Sequence, residues 1–364
     1  MYWLSTLYMI GSRKQNLLLK YFGSAKEAFY APADTLRDIF GLTENNIRSI
    51  KKNREKISLE NDFKLLKQMD ISFTHLGHSD YPKLLALIPD APVGLFYIGE
   101  LPGNSLPTIA IIGSRRCSEY GLSTARKFGA SLARQGVVVV SGMARGIDSM
   151  AHKGALDSGG LTVAVLGCGV DICYPADNRT LRDKIIRNGA VISEYPPGIN
   201  PRPSYFPARN RIISGLSQVV LVVESGKKSG TLITVDQALE QGREVMAVPG
   251  NITNRYSEGT NNLIKQGAEP ACNYEDILHM LGIVTPSMTK NNVITRSKSF
   301  KEIKPLIATE EKLVYDALDS SVPMTVEEIM IKTNSKPQTI QYVLTMLELK
   351  GYIKRLPGMR YLIN

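Results

Sequence analysis

At 364 residues, 43% of them apolar, the chain has enough hydrophobic material for a full-sized α/β core and one or two small domains. Its formal net charge of +10 favours polyanionic partners, while four scattered cysteines without CxxC spacing and only four histidines exclude a zinc site. The first ten residues lack a basic lead and are interrupted by Ser5 and Thr6, so neither a signal peptide nor a membrane span fits and a cytoplasmic protein is expected.

Residues 1–62 read as short helices. Leu17, Leu18 and Leu19 precede Tyr21-Phe22-Gly23-Ser24, and Leu36, Ile39 and Leu42 precede Ile47 and Ile50 at helical spacing. The turns Gly11-Ser12-Arg13 and Gly41-Leu42-Thr43 suit a SAM or helix-hairpin-helix-like module, whose glycine turns offer amides to phosphate. A helical packing module without a ligand accounts for the same residues.

Residues 63–284 read as an extended core. Asp80-Tyr81-Pro82 leads to a strand at Leu95-Phe96-Tyr97-Ile98-Gly99, and the rhythm then becomes regular. Apolar runs at 108–112, 137–140, 162–166, 190–192, 219–223 and 245–248 are separated mostly by helix-length segments. This pattern predicts βαβ units and a Rossmann-like, doubly wound, mostly parallel sheet buried on both faces.

Residues 285–308 turn to Ser, Thr, Asn and Lys, with Lys290, Arg296, Lys298, Lys301 and Lys304 marking a basic linker. Three helices at 310–318, 325–331 and 336–350, then a hairpin of 351–355 and 360–363 around Pro357-Gly358, predict a winged helix-turn-helix over 309–364. That module is neutral, with seven cations and seven carboxylates.

Four glycine-and-cation segments fall near strand ends of the core: Gly113-Ser114-Arg115-Arg116, Ser141-Gly142-Met143-Ala144-Arg145-Gly146, Phe206-Pro207-Ala208-Arg209-Asn210-Arg211 and Gly226-Lys227-Lys228-Ser229-Gly230-Thr231. Read as loops at the carboxyl edge of a parallel sheet, they predict an anion site. Neither common nucleotide fingerprint is present: Gly121 comes too late for GxGxxG, and Leu221 stands where a P-loop needs its first glycine. His152 lies near Asp148 and Ser149 but without nucleophile-elbow spacing, which favours a satisfied helical histidine.

For Arg209 and Arg211 the alternative to phosphate contact is that one ties into the core while the other faces out. Arg115 and Arg116 read either as phosphate ligands or as solvated residues at the start of a helix. Tyr120, Tyr174, Tyr195, Tyr205 and Phe206 interleave with the cations, as single-stranded nucleic acid requires for base stacking, although core packing claims part of this set.

Ile112-Gly113-Ser114-Arg115, Ser141-Gly142-Met143-Ala144-Arg145-Gly146-Ile147-Asp148 and Leu166-Gly167-Cys168-Gly169-Val170-Asp171 occur in order. Ser193-Glu194-Tyr195-Pro196-Pro197-Gly198, Phe206-Pro207-Ala208-Arg209-Asn210-Arg211, Ser229-Gly230-Thr231-Leu232 and Val248-Pro249-Gly250-Asn251 follow. Across residues 80–280 this series closely resembles the DprA/Smf family of bacterial DNA-processing proteins. The resemblance implies a non-enzymatic homodimer without a cofactor, which binds single-stranded DNA and helps load the RecA recombinase during natural transformation. It further implies dimer contacts around 257–281 and DNA contacts at the Gly113-Ser114-Arg115 loop. Arg115 is therefore the leading candidate; Ser114, Arg209, Arg211 and Lys228 follow from local chemistry and motif position, and Gly113, Arg116, Arg145, Asn210, Ser229, Gly230 and Thr231 complete the candidate set.

Two other classes compete. The lysine-decarboxylase-like phosphoribohydrolases resemble PGGxGTxxE, but Thr234 stands where their glutamate belongs, leaving Glu224 or Glu194 as substitutes. A winged-helix transcription regulator would read duplex DNA through a helix presenting Pro337, Gln338, Thr339 and Gln341, a face poor in the cations that duplex binding uses.

Overall fold

The computed structural model describes residues 1–283, 309–318, 324–333, 335, 337–350, 352–356 and 360–363. They fall into two compact units, 1–284 and 285–364.

The first unit is built on a nine-stranded sheet. Its strands are β1 (Ser72–His75), β2 (Gly94–Gly99), β3 (Thr108–Ile112), β4 (Val138–Ser141), β5 (Thr162–Val165), β6 (Gly189–Ser193), β7 (Val219–Val222), β8 (Glu244–Ala247) and β9 (Glu269–Pro270). In space they run β1-β2-β6-β5-β4-β3-β7-β8-β9. β1 and β2 pair antiparallel, as do β2 and β6, whereas every pairing from β6 to β9 is parallel.

All residues of β4, β5, β6 and β7 are buried, which is why they read as unbroken Val, Ile and Ala runs rather than an alternating pattern. Val138, Val140, Val163, Val165, Val220 and Val222 meet Leu85, Ile88, Ile212 and Val235 in the largest core cluster. Fully burying each such aliphatic side chain contributes roughly 1.5–3 kcal/mol. β1 and β9 escaped sequence reading because β1 has one buried residue in four and β9 is two exposed residues.

The topology fixes where a ligand can sit. From β3 the chain builds outward through β4, β5 and β6, then returns along the helix Tyr205–Gly215 to place β7 on the other side of β3. The direction of winding thus reverses between β3 and β7, opening a crevice at their carboxyl ends.

Residues 2–56 form five short α-helices around Trp3, Leu4, Leu18, Leu36, Ile39, Ile47 and Ile50. Side chains stop their orphan amides. Ser24 accepts from the Glu27 amide, and Thr43 and Asn46 form a reciprocal capping box. The boundary expected at residues 62 and 63 falls inside the helix Leu59–Gln68, so the chain has no break there.

The second unit contains helices Thr309–Ala317, Val326–Thr333 and Pro337–Leu349 with β10 (Met324–Thr325), β11 (Ile353–Leu356) and β12 (Arg360–Ile363). The strands pair in the order β10-β12-β11, all antiparallel, over a core of Val314, Ile329, Ile340, Val343, Leu347 and Tyr361. This is the winged-helix order expected from the sequence. The expected basic linker with Lys290, Arg296, Lys298, Lys301 and Lys304, the expected start of the third helix at Lys336, and the expected turn Pro357-Gly358 lie outside the described residues. Among the described residues no helix is long and apolar enough to cross a membrane.

Candidate nucleic-acid interface

A cleft of about 850 Å³ occupies the crevice between β3 and β7. One wall is the loop after β3, with Gly113, Ser114, Arg115 and Arg116; the other is the loop after β7, with Lys227, Lys228, Ser229, Gly230 and Thr231. The Ser114 amide donates to the Glu224 carbonyl at 2.8 Å, which fastens the two loops together at their roots. Gly113 has little room for a side chain, since an added Cβ would lie 2.6 Å from Ile147 Cγ1. Its part is to let the loop pass close over the start of the helix Ile147–Asp157, which follows β4.

Arg115, Arg116, Lys227, Lys228 and Arg255 are all exposed at this cleft, against one exposed carboxylate, Glu258. Ser229 caps the helix Gly230–Glu240 by accepting from the Thr231 amide at 3.2 Å. The Leu232 amide is likewise taken by the Ser229 carbonyl at 3.0 Å, and the positive end of the helix dipole at the cleft wall favours an anion there. Tyr174 and Phe206 add ring faces, 5.3 Å apart, with the Arg115 guanidinium 5.3 Å from the Phe206 ring centre.

The third expected loop is not a loop. Phe206 to Arg211 lie within the helix Tyr205–Gly215, and Pro207 is tolerated because first-turn amides have no intrahelical acceptor. Phe206, Arg209 and Asn210 face the cleft, whereas Ala208 and Arg211 line a separate pocket on the opposite side. Successive residues turn by about 100°, so Arg209 and Arg211 are bound to diverge.

Both arginines are buried, which corrects the expectation that both meet DNA and also the alternative that one faces out. Arg209 Nη1 donates to the Gly142 carbonyl at 2.8 Å and to the Val165 carbonyl, bracing the ends of β4 and β5. Burial, opposed by neighbouring Asp148, lowers its pKa to about 10. Gly142 leaves the space it uses, since a Cβ there would stand 2.4 Å from Arg209 Nη1. Arg211 Nη2 donates to Glu194 and to Ser12 Oγ at 3.1 Å, and its Nε lies 3.5 Å from Asp90. This arginine ties the N-terminal helices to the sheet and stands away from the cleft.

Arg145 is exposed but sits beside the cleft, paired with Asp177. Its loop contains Met143 at φ 54°, a left-handed conformation that costs on the order of 1–3 kcal/mol in a non-glycine residue. Asn178 holds it there by donating to the Met143 carbonyl at 2.8 Å. Of the remaining aromatics, Tyr195 stacks on Tyr205 at 4.4 Å, with Tyr195 in the core, and Tyr120 donates to the Pro249 carbonyl at 3.4 Å.

Sequence reading missed Arg255 and Tyr256 as cleft residues. Arg255 donates to the Tyr256 hydroxyl at 2.9 Å, and the Tyr256 carbonyl receives the Ser225 amide at 2.9 Å. The available signal was the turn Pro249-Gly250-Asn251 after β8, because the loop leaving a parallel neighbour of β7 reaches the same sheet edge.

The acid and base candidates are spoken for. Glu224 is buried and accepts from the Ser118 amide at 2.8 Å and from the Ser118 hydroxyl, and Glu194 is held by Arg211. His152 is fully buried, with Nδ1 2.7 Å from Thr162 Oγ1. Since that hydroxyl donates to the Val139 carbonyl, it accepts from Nδ1–H, which assigns the neutral tautomer. Burial lowers the His152 pKa to about 3. The unfolded chain takes up this proton near pH 6.5 and the fold does not until about pH 3. His152 therefore removes stability progressively as pH falls through that window, about 2 kcal/mol at pH 5. Its ring signals in an NMR titration are expected to stay at the neutral position from pH 8 to about pH 4; a midpoint above pH 5 would contradict this placement.

A family model described as DNA recombination-mediator protein A matches residues 72–282, and one described as the DprA winged helix domain matches residues 304–359. Protein Smf of Synechocystis is 33% identical over 99% of this chain and 98% of its own length. The chain belongs to the DNA recombination-mediator protein A family. Within that family, DNA processing protein DprA of Streptococcus pneumoniae is 46% identical over 54% of this chain and 70% of its own. The crystal structure of a S. pneumoniae DprA superposes with a TM-score of 0.67 at 36% identity, over 76% of this chain and 95% of that one. A structure of DprA from Helicobacter pylori, solved to explain its single-stranded DNA binding mode, gives 0.53 at 28% identity over 61% of this chain and 98% of that one. Membership favours neither the phosphoribohydrolase nor the transcription-regulator reading.

Proposed function

We propose that the chain binds the sugar-phosphate backbone of single-stranded DNA in the cleft between β3 and β7. One observation carries this reading: five exposed cations, a capped helix N-terminus and two ring faces converge on that cleft at the point where the sheet reverses its winding. Cations and amides satisfy phosphates of any sequence, and ring faces take unpaired bases, so the arrangement suits a single strand with little base readout. The related H. pylori protein, described as binding single-stranded DNA, supports it. Arg115, Arg116, Lys227, Lys228 and Arg255 are the phosphate contacts, with Ser114, Asn210, Ser229, Gly230 and Thr231 as hydrogen-bonding neighbours.

The reading extends to a cytoplasmic, non-enzymatic homodimer that helps load RecA onto the bound strand. The family's description as a recombination mediator supports the RecA role. For the dimer, the support is the sheet edge at β9 with the helices Glu258–Lys265 and Tyr274–Met280. The winged-helix module, residues 309–364, has no excess of cations over carboxylates, which favours a protein-contact or accessory role over autonomous duplex binding.

Two assays separate this reading from nucleotide hydrolysis. Unmodified oligonucleotides are expected to bind with affinity rising with length, and nucleoside monophosphates to remain intact. Release of free base from monophosphates, with no length dependence, would reverse the conclusion.

A further inference from the structure

Where the N-terminal helices meet the core, across the helix Tyr205–Gly215 from the main cleft, lies a cavity of about 400 Å³. That volume is within the range of small-molecule sites. The helix Ser12–Phe22 begins at its wall, with Gly11 as a cap that offers no side chain. Among the described residues the Ser12 and Arg13 amides have no acceptor, so the positive end of this helix opens on the cavity. Gln15, one turn further on, is 5% exposed and lines the same cavity, yet its side-chain amide has no hydrogen-bond partner among the described residues. Helical side chains lean toward the N-terminus, which sets this amide over the turn that carries the unused main-chain donors. A buried amide left unpaired is costly unless something in the cavity meets it. The Ser12 hydroxyl accepts from Arg211 at 3.1 Å, which leaves its own proton for a ligand. Arg13 and Lys14 add two cations, while the lining carboxylates Asp90 and Glu194 are both held by Arg211.

We propose that this cavity binds a phosphomonoester, with the phosphate on the Ser12 and Arg13 amides, the Ser12 hydroxyl and the Gln15 side chain. A monoester presents three terminal oxygens and close to two negative charges, enough to meet all of these donors together. A carboxylate or an internal phosphodiester has fewer free oxygens and less charge, and would leave donors unmet. The 5′ end of a DNA strand and a free nucleotide carry this same group. The site is separate from the β3–β7 cleft and does not depend on how that cleft is read.

Calorimetric titration of the full-length protein with thymidine monophosphate, thymidine and acetate tests this. The monophosphate is expected to bind and the other two are not. Gln15→Leu keeps the bulk but removes the donor, and should weaken monophosphate binding roughly tenfold or more. Arg13→Ala changes a side chain that is 82% exposed, so it is safe for the fold and should weaken binding by a smaller factor that fades with salt. Arg115 does not line this cavity, and Arg115→Ala should leave monophosphate affinity unchanged. A 5′-phosphorylated oligothymidylate is then compared with its 5′-hydroxyl form. A gain from the phosphate that Gln15→Leu removes supports the proposal with the strand end as ligand; monophosphate binding without that gain supports it with a free phosphomonoester as ligand. Absence of both effects, or thymidine binding as well as its monophosphate, would overturn the proposal. So would monophosphate binding that survives Gln15→Leu and is lost in Arg115→Ala, which would place the phosphate in the main cleft.

Discussion

Arg211→Ala is expected to destabilise the core unit by about 3–5 kcal/mol, a large part of the 5–15 kcal/mol typical of a folded domain. The guanidinium is 7% exposed and faces two carboxylates, Glu194 and Asp90, that are 13% and 19% exposed. Removing it strands both charges in a site where burial already raises the Glu194 pKa and Arg211 opposes that rise. The loss is also expected to loosen the N-terminal helices, because Ser12 Oγ accepts from the same guanidinium. Arg211→Lys should not restore stability, since a single ammonium cannot hold Glu194, Asp90 and Ser12 at once. The pH dependence has a definite sign. A carboxyl whose folded pKa is raised costs stability above that pKa, and the cost is relieved as pH falls through it. The deficit of the alanine variant is therefore expected to shrink toward acid pH. Urea unfolding at pH 7.5 and pH 5 measures both; a deficit below 1 kcal/mol that ignores pH would contradict the buried network.

Arg115→Ala is expected to do the opposite: weaken DNA binding and leave the fold alone. Arg115 is exposed, so the change in unfolding free energy should stay within about 0.5 kcal/mol. Losing one charge-assisted phosphate contact should lower single-strand affinity roughly tenfold or more at low salt. The same loss should make the salt dependence shallower by about 0.7 in log–log slope, similarly across base sequences. Arg115→Lys keeps the charge but loses the guanidinium placed over the Phe206 ring and its forked donors, so it should fall between the two. Fluorescence anisotropy at several salt concentrations reads affinity and slope together. An unchanged slope in the alanine variant would remove Arg115 from the phosphate path.

These two arginines show where the sequence is legible and where it is not. The parallel core was readable because strands buried on both faces leave unbroken aliphatic runs, as at Val138–Ser141 and Val219–Val222. The loops after β3 and β7 were readable as strand-end loops because glycine and cations directly follow the aliphatic runs Thr108–Ile112 and Val219–Val222. Arg209 and Arg211 were not, since composition does not say whether a guanidinium meets solvent or a buried carboxylate. Their segment was misread as a loop because Pro207 suggests a break, whereas in a first helical turn it causes none. Arg255 and Tyr256 were invisible for another reason: they reach the cleft through a loop whose position depends on β8 lying beside β7, a fact of topology. His152 lies on a helix as expected but is only half satisfied: Nδ1 meets Thr162 on β5, while the buried Nε2 has no hydrogen-bond partner.

The central claim is that the β3–β7 cleft tracks the phosphates of a single strand. Affinities of the full-length protein for an oligonucleotide and its duplex, measured from about 50 to 200 mM salt, test it most directly. The ring faces of Tyr174 and Phe206 predict tighter binding of the single strand throughout, and the five exposed cations a log–log slope between about −2 and −3.5. Salt-independent binding, or a preference for the duplex, would contradict it.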